Sequence, residues 1–170
     1  MDLKTLPIKI FSREAIEVAS QKTDMTIAII SITDIGKPLA NIQANTNIRT
    51  CLRVQFDDVY EDECGAMTAE QANLIAAEVR NALDNLDVEQ IWVHCEGGVS
   101  RSAAVAAAIG LAEYGTDEEI FLNPAFYPNH HVYITMLAAL DPSIHITMAE
   151  WSRKHQLNVK AWLAQEDNLI

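Results

Sequence analysis

The stretch His94-Cys95-Glu96-Gly97-Gly98-Val99-Ser100-Arg101-Ser102 sets a thiol, a guanidinium and two glycines close together in the chain. A short apolar run, Gln90 to His94, precedes it, and an alanine-rich run, Ser102 to Gly115, follows. The stretch therefore reads as strand, glycine-bearing turn and helix start. That geometry binds anions, because successive backbone N–H groups point into the turn and the helix N-terminus adds roughly half a positive charge. Gly97 and Gly98 permit curvature that side chains would block. A sulfur among those donors is stabilised as the thiolate, its nucleophilic form. Arg101 can offer two parallel N–H donors to phosphate oxygens. An oxyanion cradle and a sulfur nucleophile in one place suit attack on phosphorus, with neither metal nor cofactor required.

These residues resemble the His-Cys-x-x-Gly-x-Ser-Arg-Ser signature of the protein tyrosine phosphatase superfamily. The resemblance is to its small dual-specificity branch, of bacterial or phage type, and the signature is matched at His94, Cys95, Gly98, Ser100, Arg101 and Ser102. Weaker similarity runs from about Ser31 to Leu140. The segment Pro128 to Leu137 is similar to the one that follows the catalytic helix in that branch. The resemblance implies Cys95 as the nucleophile that takes the phosphoryl group, with Arg101 holding the equatorial oxygens. It implies Ser102 as donor to the Cys95 sulfur and His94 as the residue that orients the loop. Glu96, Gly97, Gly98, Val99 and Ser100 would supply amides to the phosphate.

A leaving alkoxide or phenolate needs a proton. The family places an aspartate on a loop upstream, just after a strand, and Val54-Gln55-Phe56-Asp57-Asp58 fits. Leu52, Val54 and Phe56 alternate inward, so Asp58 is the next inward position, and the family's apolar-x-Asp ending also selects it. Asp57 competes, and Asp62 is a more distant third.

The elements that must position these groups are legible from pattern. Thr26 to Ile32 is a β-branched apolar run that reads as a buried strand, followed by a turn at Asp34 to Pro38. Leu52 to Phe56 alternates as a half-buried strand does. Thr68 with Gln71 fits a capping box that opens a helix. Gly115 ends the alanine-rich helix, a further helix spans His131 to Leu140, and Thr147 caps one more. Strands alternating with helices predict an α/β fold. A central, mostly parallel sheet of four to five strands is flanked by helices around the Cys-x5-Arg loop. No linker or repeat is visible, so residues 1–170 read as a single phosphatase domain with a helical tail from about 141, anchored by Trp151 and Trp162.

The net charge of −12 argues against nucleic-acid or anionic-membrane partners, which select for Lys and Arg. Lipid-directed relatives carry lysines where this chain has Glu96 and Val99, and no long phosphotyrosine-recognition insertion is visible. The expected substrate is thus a phosphorylated protein reached through a shallow pocket, or a small phosphoester. A non-catalytic phosphoprotein-binding module is the rival from another class. Met1 to Pro7 lacks the apolar run of a signal peptide, no segment is long enough to span a bilayer, and three cysteines make no disulfide framework. Those features set the expectation of a cytoplasmic protein. Cys51 and Cys64 read as structural or as partners for an oxidised Cys95. The remaining histidines, His130, His131, His145 and His155, lack a metal-ligand pattern, and the oligomeric state has no signal.

Overall fold

Ile27–Thr33 (β2, IAIISIT) is buried along its whole length. A strand packed on both faces reads as such a continuous apolar run, and this one lies inside a parallel sheet. The computed structural model describes residues 7–167; residues 1–6, which bear on a leader peptide, lie outside that range. The other strands are β1 (Ile8–Phe11), β3 (Ile48–Gln55) and β4 (Gln90–His94). They form one sheet in the order β1-β4-β2-β3, and every neighbouring pair is parallel. The helices are α1 (Arg13–Lys22), α2 (Ala69–Asn85), α3 (Arg101–Tyr114), α4 (Glu118–Phe121), α5 (His130–Leu140) and α6 (Met148–Asp167). The architecture is α/β, with four strands.

The two faces of the sheet follow from strand periodicity. Ala28, Ile30 and Ile32 of β2, with Ile91 and Val93 of β4, face a large core that also holds the buried sides of α2, α3 and α5. Ile27, Ile29 and Trp92 face the opposite way and pack with Ile16 of α1. α3 is buried at every residue from Arg101 to Gly110, which its run of alanines allows by letting neighbouring elements approach closely. Gly115, at φ +76, closes it, with Gly115 N–H bonded to Leu111 O and Thr116 N–H to Gly110 O. α2 opens on the capping box between Thr68 and Gln71.

Three elements, β1, α1 and the single-turn α4, have no counterpart in the sequence reading. β1 is only four residues long, and α1 buries just Ile16 and Ser20. The tail departs from expectation in one respect. Trp151 packs edge-on against Phe121 and lies by Tyr133, but Trp162 is 48% exposed and lines an open cleft with Val99 and Phe126 instead of being buried as an anchor. Polar groups take over that task. Tyr133 Oη donates to Asp117 Oδ2 at 2.5 Å, and Lys154 Nζ donates to both Asp117 oxygens at 2.6 and 2.8 Å. Asn158 Nδ2 reaches Phe126 O at 2.7 Å.

Burial, then the Asp117 carboxylate, pushes the Tyr133 phenol far above its ordinary range. The folded protein thus favours the neutral phenol. Its contribution to stability is complete below the unfolded tyrosine value of about 10 and is lost as pH rises beyond that. Urea midpoints measured at pH 8 and near pH 11 are expected to fall more steeply for the wild type than for Tyr133→Phe.

Candidate active site

In a parallel sheet all strands end at the same edge, so the first residues after adjacent strands become neighbours. β4 delivers Cys95 to that edge, β2 delivers Asp34, and β3 delivers Phe56, Asp57 and Asp58. Phe56 N–H bonds to Thr33 O at 3.1 Å, which ties the last two strand ends together. The loop from Cys95 to Ser100 then turns directly into α3.

Three carbonyls of that loop are held from outside. Glu96 O accepts from Arg13 N–H at 3.1 Å, Val99 O from Tyr127 N–H at 2.9 Å, and Ser100 O from Ala104 N–H at 2.9 Å and Asn129 N–H at 3.4 Å. In a trans peptide the N–H opposes the C=O. Turning these carbonyls outward therefore turns the amides of Gly97, Ser100 and Arg101 inward. Ser100 is the N-cap of α3, yet its side chain makes no cap bond. The first amides of the helix are left without an intrahelical acceptor. The concavity is thus a cradle of donors.

Cys95 is 2% exposed, and its Sγ lies 3.1 Å from Ser102 Oγ, on the first turn of α3. His94 is fully buried beneath it, with Nε2 2.7 Å from Ser31 Oγ and Nδ1 3.4 Å from Cys95 O. A carbonyl only accepts, so Nδ1 carries the proton and Nε2 accepts from Ser31. That is the neutral ring, and burial holds the His94 pKa below the usual histidine range.

The two glycines are not equivalent. Gly98 has φ +68, and a Cβ there would fall 2.6 Å from Ser12 N and 2.7 Å from Phe11 C. The back of the loop thus rests on the corner between β1 and α1. A Cβ on Gly97 would meet only Val99 Cγ2, at 3.9 Å, so that glycine has room for a side chain. Glu96 turns away from the cradle, and its carboxylate is held by Arg13 Nη1 at 3.0 Å.

Arg101 is 4% exposed. One end of its guanidinium, Nη2, lies 2.7 Å from Asp34 Oδ1, and Nη1 donates to Phe56 O at 2.6 Å. Asp34 reads in the sequence only as a turn residue. Its role becomes visible once β2 is known to lie beside β4.

Asp57 and Asp58 separate clearly. Asp57 Oδ1 accepts from Ile35 N–H at 3.0 Å, and Asp57 N–H bonds to Gly65 O at 2.8 Å, so this residue closes the acidic loop on itself. Asp58 faces a cleft of about 380 Å³ beside the cradle, shared with Val99 and Ser100. Its Oδ1 accepts from Ser100 Oγ at 2.9 Å and from Asn129 Nδ2 at 2.8 Å. Both bonds fall on Oδ1, leaving Oδ2 as the oxygen able to carry a proton. Asn129 is held in turn, because its Oδ1 caps α5 through Val132 N–H. Asp62 sits in the exposed turn at φ 67, away from these contacts.

Cys51 belongs to the face of the sheet opposite Cys95, where burial raises its thiol pKa, and Cys64 is exposed; all three cysteines are free. His131 Nε2 contacts Met67 O, and His130 packs against Trp151. Among the described residues no group of three or more His, Cys, Asp or Glu could hold a metal, and no helix is long and apolar enough to cross a membrane.

No protein-family model matches the chain, and no curated protein matches it. Solved structures do. A tyrosine-to-histidine variant of human DUSP28 aligns with TM-score 0.50 and 18% identity, over 95% of this chain and 94% of its own. Human DUSP28 itself gives 0.47 at 16% identity over 95% and 96%, and Tk-PTP in its active form gives 0.45 at 14% over 89% of each. At such identity the likeness shows the fold alone, shared with the DUSP28 variant over nearly the whole chain.

The Asp34 contact generates a test with two arms. Asp34→Asn keeps an acceptor for Arg101 but removes the competing charge, so inorganic phosphate is expected to bind tighter, by about threefold for one screened charge. Asp34→Ala frees the guanidinium and is expected to weaken phosphate binding by about tenfold or more, the scale of a lost charge-assisted hydrogen bond. Calorimetric titration reads both.

Proposed function

We propose that this chain is a cysteine-dependent phosphatase acting on phosphorylated side chains of proteins, phosphotyrosine first among them. The observation that carries the reading is the Cys95 sulfur, 3.1 Å from Ser102 Oγ, in a loop whose carbonyls are held outward. In the first step Cys95 Sγ attacks phosphorus, the S–P bond forms and the P–O bond to the leaving group breaks. The leaving oxygen takes the proton from Asp58 Oδ2. The inward amides and the Arg101 guanidinium carry the charge on the equatorial oxygens. In the second step Asp58 takes a proton from water, the water oxygen attacks phosphorus, and the sulfur departs as thiolate onto the Ser102 hydroxyl. Inorganic phosphate is released and the cysteine is regenerated. A reducing compartment suits this chemistry, since oxidation of Cys95 would end it.

Turnover of para-nitrophenyl phosphate in the presence of chelator is the direct measurement. The wild type is expected to be active and Cys95→Ser inactive. Asp58→Asn is expected to lose about a hundredfold or more on phenyl phosphate, whose leaving group needs the proton, and less on the para-nitrophenyl ester. Folded wild-type protein without turnover would point to a phosphate-binding module instead.

The cleft beside the cradle carries Asp58 and Tyr60, and the loop continues through Glu61, Asp62 and Glu63 on a chain of net charge −12. That field favours basic surroundings for the phosphorylated residue. Phosphotyrosine peptides flanked by Lys are expected to turn over a few-fold faster than the same peptides flanked by Asp, with the gap narrowing at high salt. Equal rates would remove this preference.

A further inference from the structure

α6 has no part in the chemistry above, yet it builds one wall of the ground beside the cradle. His155, Asn158 and Trp162 recur at helical spacing on one side of it. Asn158 spends its amide on the carbonyls of Phe121, Asn123 and Phe126, and Lys154 is held by Asp117. These bonds fix the helix and the 123–127 segment relative to each other. Between them lies a second cleft, of about 360 Å³, at the small end of the range for ligand pockets. Val99, Phe126, Tyr127, Val159 and Trp162 line it, and none of its residues carries a charge at neutral pH.

Three of those side chains are left open to solvent although large and apolar: Tyr127 is 53% exposed, Trp162 48% and Val99 42%. Val99 belongs to the phosphate-cradling loop itself, and Tyr127 is bonded to it through the backbone. Both residues also line the cleft that contains Asp58. The two clefts therefore adjoin across Val99 and Tyr127, one mixed in character, with Asp58, Asn129, His130 and His155 among its lining, the other without any charged group. A polypeptide whose phosphoryl group sits in the cradle thus has this junction within reach of its neighbouring side chains. Lipid or nucleotide phosphates fit poorly, because the acidic loop repels further anionic charge and the apolar cleft has no group to receive it.

We propose that the cleft under Trp162 binds an apolar side chain flanking the phosphorylated residue of a protein substrate, making α6 a specificity element. The proposal rests on the phosphatase reading and deepens it.

The test is a set of phosphotyrosine peptides with Leu or Gly placed in turn at each of the three positions on either side. At one position or more, the Leu-to-Gly ratio of kcat/KM is expected to reach about tenfold, as for partial burial of one leucine side chain. It should fall to about one in Trp162→Ala and recover in Trp162→Phe, with melting curves confirming that both variants fold. A ratio near one at all positions in the wild type, or one that survives Trp162→Ala, overturns the proposal. So does a concentration-dependent dimer in sedimentation that Trp162→Ala abolishes while the ratio stands, which would assign the cleft to a second copy of the chain. Turnover of para-nitrophenyl phosphate by the wild type separates the failures. If it is brisk and the ratio is flat, only the subsite falls; if it is absent, the phosphatase reading falls and the subsite with it.

Discussion

The outward hold on the carbonyls of one loop is the constraint from which the rest of the site follows. A peptide plane cannot aim both its ends inward, so amides face into the concavity of the loop only while something outside keeps the opposing oxygens occupied. Three separate regions supply those partners. Arg13 comes from the start of α1, Tyr127 and Asn129 from the segment leading into α5, and Ala104 from α3. Segments far apart in the chain are thus committed to one small feature. None of them needs to touch a substrate to matter.

Asn129 shows how tightly this scaffold is joined to Asp58. Its backbone N–H holds Ser100 O, its side-chain amide holds Asp58, and its side-chain oxygen caps α5. One residue therefore sets the spacing between cradle and carboxylate. Ser100 closes the same triangle through its hydroxyl, which is why that hydroxyl does not cap α3. The orientation of α5, itself packed on α2 and α3, is transmitted to Asp58 through bonds and not through the acidic loop, which is exposed at Tyr60, Glu61 and Asp62.

Much of this was legible before any coordinates, because the strongest signals are local. The nine-residue loop lies between a short apolar strand and an alanine-rich helix, and the structure has both, β4 ending at His94 and α3 starting at Arg101. Alternation along Leu52, Val54 and Phe56 made Asp58 the next inward position, but the inward alternation ends at the buried Phe56: Asp58 is exposed and Asp57 half-buried, and it is the bonds from Ser100 and Asn129 that hold Asp58 beside the loop. What escaped were effects of tertiary adjacency. Asp34 is ordinary until strand order places the end of β2 beside the end of β4. β1 and α1 are too short and too sparsely apolar to stand out, since the sheet and not their own pattern stabilises them. Trp162 misled for the opposite reason: tryptophan usually marks burial, and here the anchoring is done by Lys154 and Asn158, residues that sequence patterns assign to solvent.

The contact of Gly98 with the backbone of Phe11 and Ser12 has a consequence for the order in which the molecule can become competent. The edge strand precedes the cradle in the chain, with β2, β3 and α2 between them, yet each is the other's wall. A polypeptide shortened to begin at β2 would retain every residue named in the chemistry and still lack the surface that gives the loop its curve. Competence in this fold therefore belongs to the closed circuit between the opening strand and the centre of the sheet.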